Sequence, residues 1–97
     1  DHVPLRGVFA VLVTGVDGRT LDGIANLGHR PTVSGDKFLL EVHCFDFDQN
    51  IYGQRIQVEF CRWIRNEQKF NGLQALQTQI HKDVDQARHW FRDHFAE

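Results

Sequence analysis

The run Gly7-Val-Phe-Ala-Val-Leu-Val-Thr14 constrains the fold most. It is β-branched and aromatic, with apolar side chains at successive positions and none of the 3.6-residue spacing of a helix. A strand pointing apolar residues to both sides needs cover on both sides, as in a closed barrel or a covered sheet. The strand is expected over Arg6 to Val16. Asp17-Gly18 follows it, a pair that favours the tight turn of a β-hairpin.

The next strand is expected from Leu21 to Leu27, with Gly23 in its interior. Glycine there marks a bulge, a barrel bend or a close approach by a ligand. Gly28 and Pro31 then suggest a shaped loop over Gly28 to Thr32, because Gly28 permits positive φ and Pro31 disfavours helix at Arg30. Ser34-Gly35-Asp36 turns the chain into a third strand, Phe38 to Phe47. This strand places the carboxylate of Glu41 among Leu, Val and Phe, tolerable on a wet face and in need of a reason on a dry one. The stretch through Tyr52-Gly53 is a turn. Arg55 to Ile64 is the fourth strand, with Ile56, Val58 and Phe60 inward and Gln57 and Glu59 outward.

From Asn71 the period changes. Leu73, Leu76, Ile80, Val84, Ala87 and Phe91 form one helical stripe, expected to pack on the sheet. Asn71 with Gln74 resembles a capping box, and Arg88, His89 and Arg92 suit the C-terminal end of the helix dipole. Strands followed by one helix, without βαβ alternation, describe a small barrel or curled antiparallel sheet with a C-terminal helix. One domain over residues 1–97 is expected, the barrel over about 1–70 and the helix over about 72–93.

Composition excludes several classes. A net charge of −2 argues against a nucleic-acid binder. No apolar run approaches the ~18 residues of a membrane span. The N-terminus has neither a signal-peptide pattern nor a starting Met, so the chain reads as cut from something longer. Cys44 and Cys61 fall in strands without metal-ligand spacing and read as buried free thiols of a reducing cytosol. Neither dinucleotide nor Walker fingerprint is present, and no Ser-His-Asp order has local support. The remaining polar groups at strand ends are Asn26, the Gly28 to Thr32 loop, Glu41, and Arg65 through Phe70. Each has a plain reading: Glu41 a solvated strand residue, Arg65 with Glu67 a solvated pair, Phe70 a core or helix-staple residue.

In their order these residues resemble a known family. Gly23-Ile-Ala-Asn-Leu-Gly-His-Arg-Pro-Thr32, Leu40-Glu-Val-His43 with Asp46-Phe47, Tyr52-Gly53, Ile64-Arg-Asn-Glu-Gln-Lys-Phe70, and Gln79-Ile80 with Asp83 and Ala87-Arg88 look like bacterial riboflavin kinase, the C-terminal module of bifunctional riboflavin kinase/FAD synthetase. The resemblance spans almost the whole chain. It implies a six-stranded antiparallel Greek-key barrel with a C-terminal helix, and transfer of the ATP γ-phosphate to the 5′-hydroxyl of riboflavin, giving FMN. It makes Glu41 the general base. It places Asn26, Gly28, Arg30, Pro31, Thr32 and Tyr52 at the substrates, with Arg65, Glu67 and Phe70 on the flavin side. ATP with Mg²⁺, a cytoplasmic setting and an N-terminal adenylyltransferase domain in the parent chain are implied too, without nucleic acid or membrane.

One departure concerns the family's Gly-x-Pro-Thr-Ala-Asn stretch, which holds Mg²⁺ and the ATP phosphates. This chain begins after the point where that stretch should lie. No metal ligand is therefore expected within residues 1–97, and the fragment alone is expected to be a weak or inactive kinase. The alternative reading is a flavin-binding or regulatory barrel without turnover. An oligonucleotide-binding barrel is disfavoured by the acidic balance.

Overall fold

The computed structural model describes residues 6–49 and 53–95. Four strands precede one helix: β1 (Gly7–Val16), β2 (Arg19–Thr32), β3 (Gly35–Cys44), β4 (Gln57–Arg65) and α1 (Leu73–Phe95). All strand pairings are antiparallel, in the order β3-β2-β1-β4. Three strands in sequence plus a fourth that returns beside the first is the Greek-key arrangement. The mainly β architecture with a C-terminal helix is therefore as expected. Closure is not: among the described residues the sheet has four strands, and β3 and β4 are its open edges.

β1 is covered on both faces, as its continuous apolar run requires. Val8 and Ala10 join Ile64, Ala87 and Phe91 under the helix. Phe9, Val11, Val13 and Val16 join Ala25 and Cys44 on the other face, with Phe47 and Ile56 from the β3–β4 connection packed against them. The strand that looked most buried in sequence is the axis of both clusters.

The Asp17-Gly18 turn takes positive φ at both residues, 49° and 74°. Two left-handed residues match the right-handed twist of the flanking strands, which is why this dipeptide closes hairpins. Gln54 fixes the turn from outside: Asp17 N–H donates to its Oε1, and its Nε2 donates back to Asp17 Oδ1 at 3.1 Å.

The expected Gly28 to Thr32 loop is instead strand. β2 runs on to Thr32, paired residue by residue with β3 down to Thr32 opposite Gly35, and only Val33-Ser34 turn. The residue before a proline prefers extended backbone, which a strand supplies as well as a loop does. Pro31 is tolerated because, among the described residues, β1 pairs with β2 only as far as Leu27, so no β1 ladder bond is lost at Pro31. The third strand ends earlier than expected, at Cys44, where Asp46 takes φ of 55°. Gly23 marks a close backbone approach: a Cβ there would lie 2.6 Å from the His43 carbonyl oxygen.

β4 alternates as expected as far as Phe60. Two register shifts against β1 then follow, so Phe60 faces Val11 while Arg62 faces Ala10, and Trp63 faces Phe9 while Arg65 faces Val8. Each shift adds one residue to β4, as a β-bulge does. They bring Cys61 and Ile64 to the helix side, whereas Val58 and Phe60 pack on the other face.

The helix starts at Leu73, and the Gly72 carbonyl accepts the Leu76 N–H. Gly72 is thus the N-cap, and the Asn71/Gln74 pair is one residue out of step for a capping box. The apolar stripe does not dock along its whole length. Ala87 and Phe91 are buried and Val84 packs beside them, whereas Leu73 is 68% and Ile80 43% exposed. The N-terminal half of α1 overhangs the sheet instead of sealing it.

Candidate functional site

Under that overhang lies a cleft of about 760 Å³, bounded by β2, β3, the 65–70 segment and α1. Its floor follows from strand register. Glu41 on β3 is paired with Asn26 on β2, Asn26 with Val8 on β1, and Val8 with Arg65 on β4. Paired residues share a face, so all four point the same way. With strands about 4.8 Å apart, this row spans roughly 14 Å. The bulges of β4 complete it. Continued without them, the pairing of Gln57 with Thr14 would set Arg65 opposite Arg6, past the end of β1.

Of the residues singled out in sequence, Asn26, Glu41, Arg65, Glu67 and Phe70 line this cleft. Glu41 is exposed, so its strand face is wet, and that wet face is the cleft. The side-chain oxygen of Asn26 is buried without a hydrogen-bond partner among the described residues. Such an atom costs about 1–3 kcal/mol when left unmade, so an acceptor kept there fits a donor arriving with a ligand.

Arg65 does not pair with Glu67. Its Nε donates to both oxygens of Asp83, at 2.9 and 3.0 Å, and one terminal nitrogen donates to Asp83 Oδ2 at 2.8 Å. The other terminal nitrogen donates to the Asn66 carbonyl at 2.9 Å, and the guanidinium carbon lies 5.7 Å from the Phe70 ring centre. Glu67 instead reaches across to β2, where its Oε1 accepts the His29 backbone N–H at 3.3 Å.

Gly28 is buried within β2, and Arg30, Pro31 and Thr32 fall in its distal part beyond β1. Gly28 and Thr32 do not line the cleft; the Thr32 hydroxyl donates to the Gly35 carbonyl and closes the hairpin. Tyr52 lies outside the described residues. The motifs contained Ile80, Asp83 and His43 but assigned them no place at the substrates, and they left out Leu76; Leu76, Ile80 and Asp83 wall the cleft from α1, and His43 follows Glu41 by two on the same strand face. Leu76 and Ile80 were disguised as core by their place in the stripe.

A second set of charges clamps the other end of α1. Arg88 donates through both terminal nitrogens to Asp46, at 3.2 and 3.3 Å, and lies over the Phe45 ring. The hydrogen bond from Arg88 holds the Asp46 carboxyl below its ordinary range, with the charge of Arg88 adding to it. Asp22 nearby is pushed up, first by burial, with Arg88 opposing and Asp46 reinforcing. Burial also raises both thiols, and Glu59 adds to the effect at Cys61. Cys44 and Cys61 are free, as expected, and they serve as packing groups.

Fold and site together define a class: an antiparallel Greek-key β module with a C-terminal helix and an open cleft that combines carboxylates, amides and an aromatic wall. Comparison with known proteins gives the family. The family model described as Flavokinase, riboflavin kinase, matches residues 1–91, and the chain belongs to that family. It is 53% identical over 88 residues to the bifunctional riboflavin kinase/FMN adenylyltransferase of Haemophilus influenzae, covering 91% of this chain and 29% of that protein. The protein of that description from Bacillus subtilis is 40% identical over 92 residues, covering 92% of this chain and 29% of that one. The chain thus spans under a third of the length of these relatives.

A crystal structure described as a macrolide-efflux protein from Streptococcus pneumoniae superposes with a TM-score of 0.83 at 31% identity, over 92% of this chain and 29% of that one. Efflux is a description of that protein. In this chain no helix among the described residues is long and apolar enough to cross a membrane.

Proposed function

We propose that this module transfers the γ-phosphate of ATP to the 5′-hydroxyl of riboflavin, giving FMN and ADP. Family membership supports the reaction, and the observation that carries its assignment to this cleft is the row Glu41–Asn26–Val8–Arg65 with Phe70 at its lip. Phe70 offers a flat apolar wall for the isoalloxazine ring. Asn26 supplies an acceptor for a polar group of the bound flavin. Glu41 accepts a hydrogen bond from the 5′-hydroxyl and points its oxygen at the γ-phosphorus. The new O–P bond forms as the bond to ADP breaks, and the hydroxyl proton passes late to Glu41. Orientation precedes basicity here, so an exposed carboxylate suits the task.

Mg²⁺ would accompany ATP in such a reaction. Among the described residues no group of three or more His, Cys, Asp or Glu is placed to hold a metal ion. The relatives are described as bifunctional riboflavin kinase/FMN adenylyltransferases, which supports a separate adenylyltransferase domain in the parent chain that would use the FMN formed here. The free thiols suit a cytoplasmic setting.

Glu41→Gln tests the assignment. FMN formation in the full protein should fall by about 10²-fold or more while riboflavin binding, read by fluorescence quenching, stays within about three-fold. Retained turnover would remove Glu41 from the role of base. Riboflavin binding without ATP-dependent FMN formation in the unaltered protein would favour a non-catalytic flavin-binding module instead.

A further inference from the structure

Asp83 is a buried carboxylate at the helix wall of the cleft. It is 3% exposed, sits on α1, and accepts three contacts from Arg65 and one from Gln79 Nε2 at 3.1 Å. A buried pair of this kind gives little net stability over a well-packed apolar pair, so its geometric effect is the more informative one. Three of the five N–H groups of Arg65 are committed, by Nε and one terminal nitrogen to Asp83 and by the other to Asn66. The planar fork is therefore fixed in orientation, and its central carbon lies over the Phe70 ring.

The 66–70 segment has neither strand nor helix to hold it. It is tied at its start by Arg65 to the Asn66 carbonyl, across the cleft by Glu67 to the His29 N–H, and at its end by Phe70 beside the guanidinium. Two of these three ties run through the group that Asp83 orients. We infer that Asp83 is a positioning residue for the flavin: it sets Arg65, and Arg65 sets Phe70 at the height and tilt at which the ring wall meets a flat ligand. Asp83 itself touches no ligand in this scheme. The inference rests on the flavin reading of the cleft given above.

Riboflavin titration by fluorescence quenching, with Asp83→Asn, Phe70→Ala and the double variant, tests it. Asp83→Asn should weaken binding by roughly ten-fold, the scale of a fixed cation–aromatic contact. In the Phe70→Ala background the same change should cost under about two-fold, because the wall it positions is gone. Independent losses that multiply would overturn the coupling. Should Asp83→Asn not fold, the charge-free pair Arg65→Met with Asp83→Leu keeps the packing. That pair should melt as the parent does yet bind riboflavin about ten-fold more weakly; binding within two-fold of the parent would sink the proposal. If the unaltered protein binds no riboflavin, the flavin reading falls and takes this inference with it. Parent binding with uncoupled variants refutes the inference alone.

Discussion

Glu41 and Arg65 stand at the two ends of one row that crosses all four strands, with Asn26 and Val8 between them. They are 24 positions apart in the chain. The sheet nevertheless fixes their separation at three strand spacings, roughly 14 Å, so a rigid platform separates the carboxylate from the aromatic lip. Flexible loops could not hold that distance.

Asn26 offers the sharpest test of whether this platform is built for a ligand. Asn26→Leu removes a buried acceptor that has no partner among the described residues, so the melting temperature should hold or rise. Riboflavin binding should weaken by roughly ten-fold, one hydrogen bond's worth. A loss of stability with unchanged binding would make Asn26 a structural residue.

The two halves of the helical stripe should behave differently. Phe91→Ala, at 5% exposure in the cluster under the helix, should cost about 3–5 kcal/mol in chemical denaturation. Ile80→Ala, at 43% exposure, should cost under about 1 kcal/mol yet reduce flavin affinity, because Ile80 walls the cleft. Equal stability losses would mean that the stripe is all core.

Asp46 and Asp22 should show opposite pH dependences. The Asp46 carboxyl is lowered by Arg88, so it stabilises the fold above the ordinary value of 3.8 and that contribution is lost as pH falls through the lowered value. Asp22 is raised, chiefly by burial, so protonation relieves it, and stability is lost as pH rises through the raised value. Thermal melts should therefore show Asp46→Asn less stable, and Asp22→Asn more stable, than the parent at neutral pH. Both differences should shrink towards about pH 3, where the free carboxyls are largely protonated. Matching signs would refute the arrangement.

Gly23→Ala should be costly although its strand position tolerates a side chain in principle. The new Cβ meets the His43 carbonyl oxygen at 2.6 Å, and both partners are backbone, so β2 and β3 must part. Loss of about 1–3 kcal/mol is expected in denaturant melts. Because Glu41 lies two residues from His43 on the displaced strand, FMN formation should fall as well. A variant as stable and active as the parent would show that the strands slide apart freely.

The sequence by itself determined the elements and the family. The continuous apolar run of β1 demanded cover on both faces, Asp17-Gly18 closed its hairpin, and the 3.6-residue stripe announced α1. The ordered motifs from Gly23 to Arg88 carried the family resemblance. What only the tertiary structure decided is which residues meet. A glycine and a proline read equally well as loop or as paired strand, and residue-by-residue pairing with β3 settled Gly28 to Thr32 as strand. Leu76 and Ile80 fit the periodicity of core residues, but whether a stripe finds a partner depends on where the sheet ends. Arg65 faced Glu67 in sequence and Asp83 in space, because two extra residues in β4 set its register. Periodicity is a local property of the backbone, whereas register, bulges and the reach of a neighbouring strand are relations between distant segments.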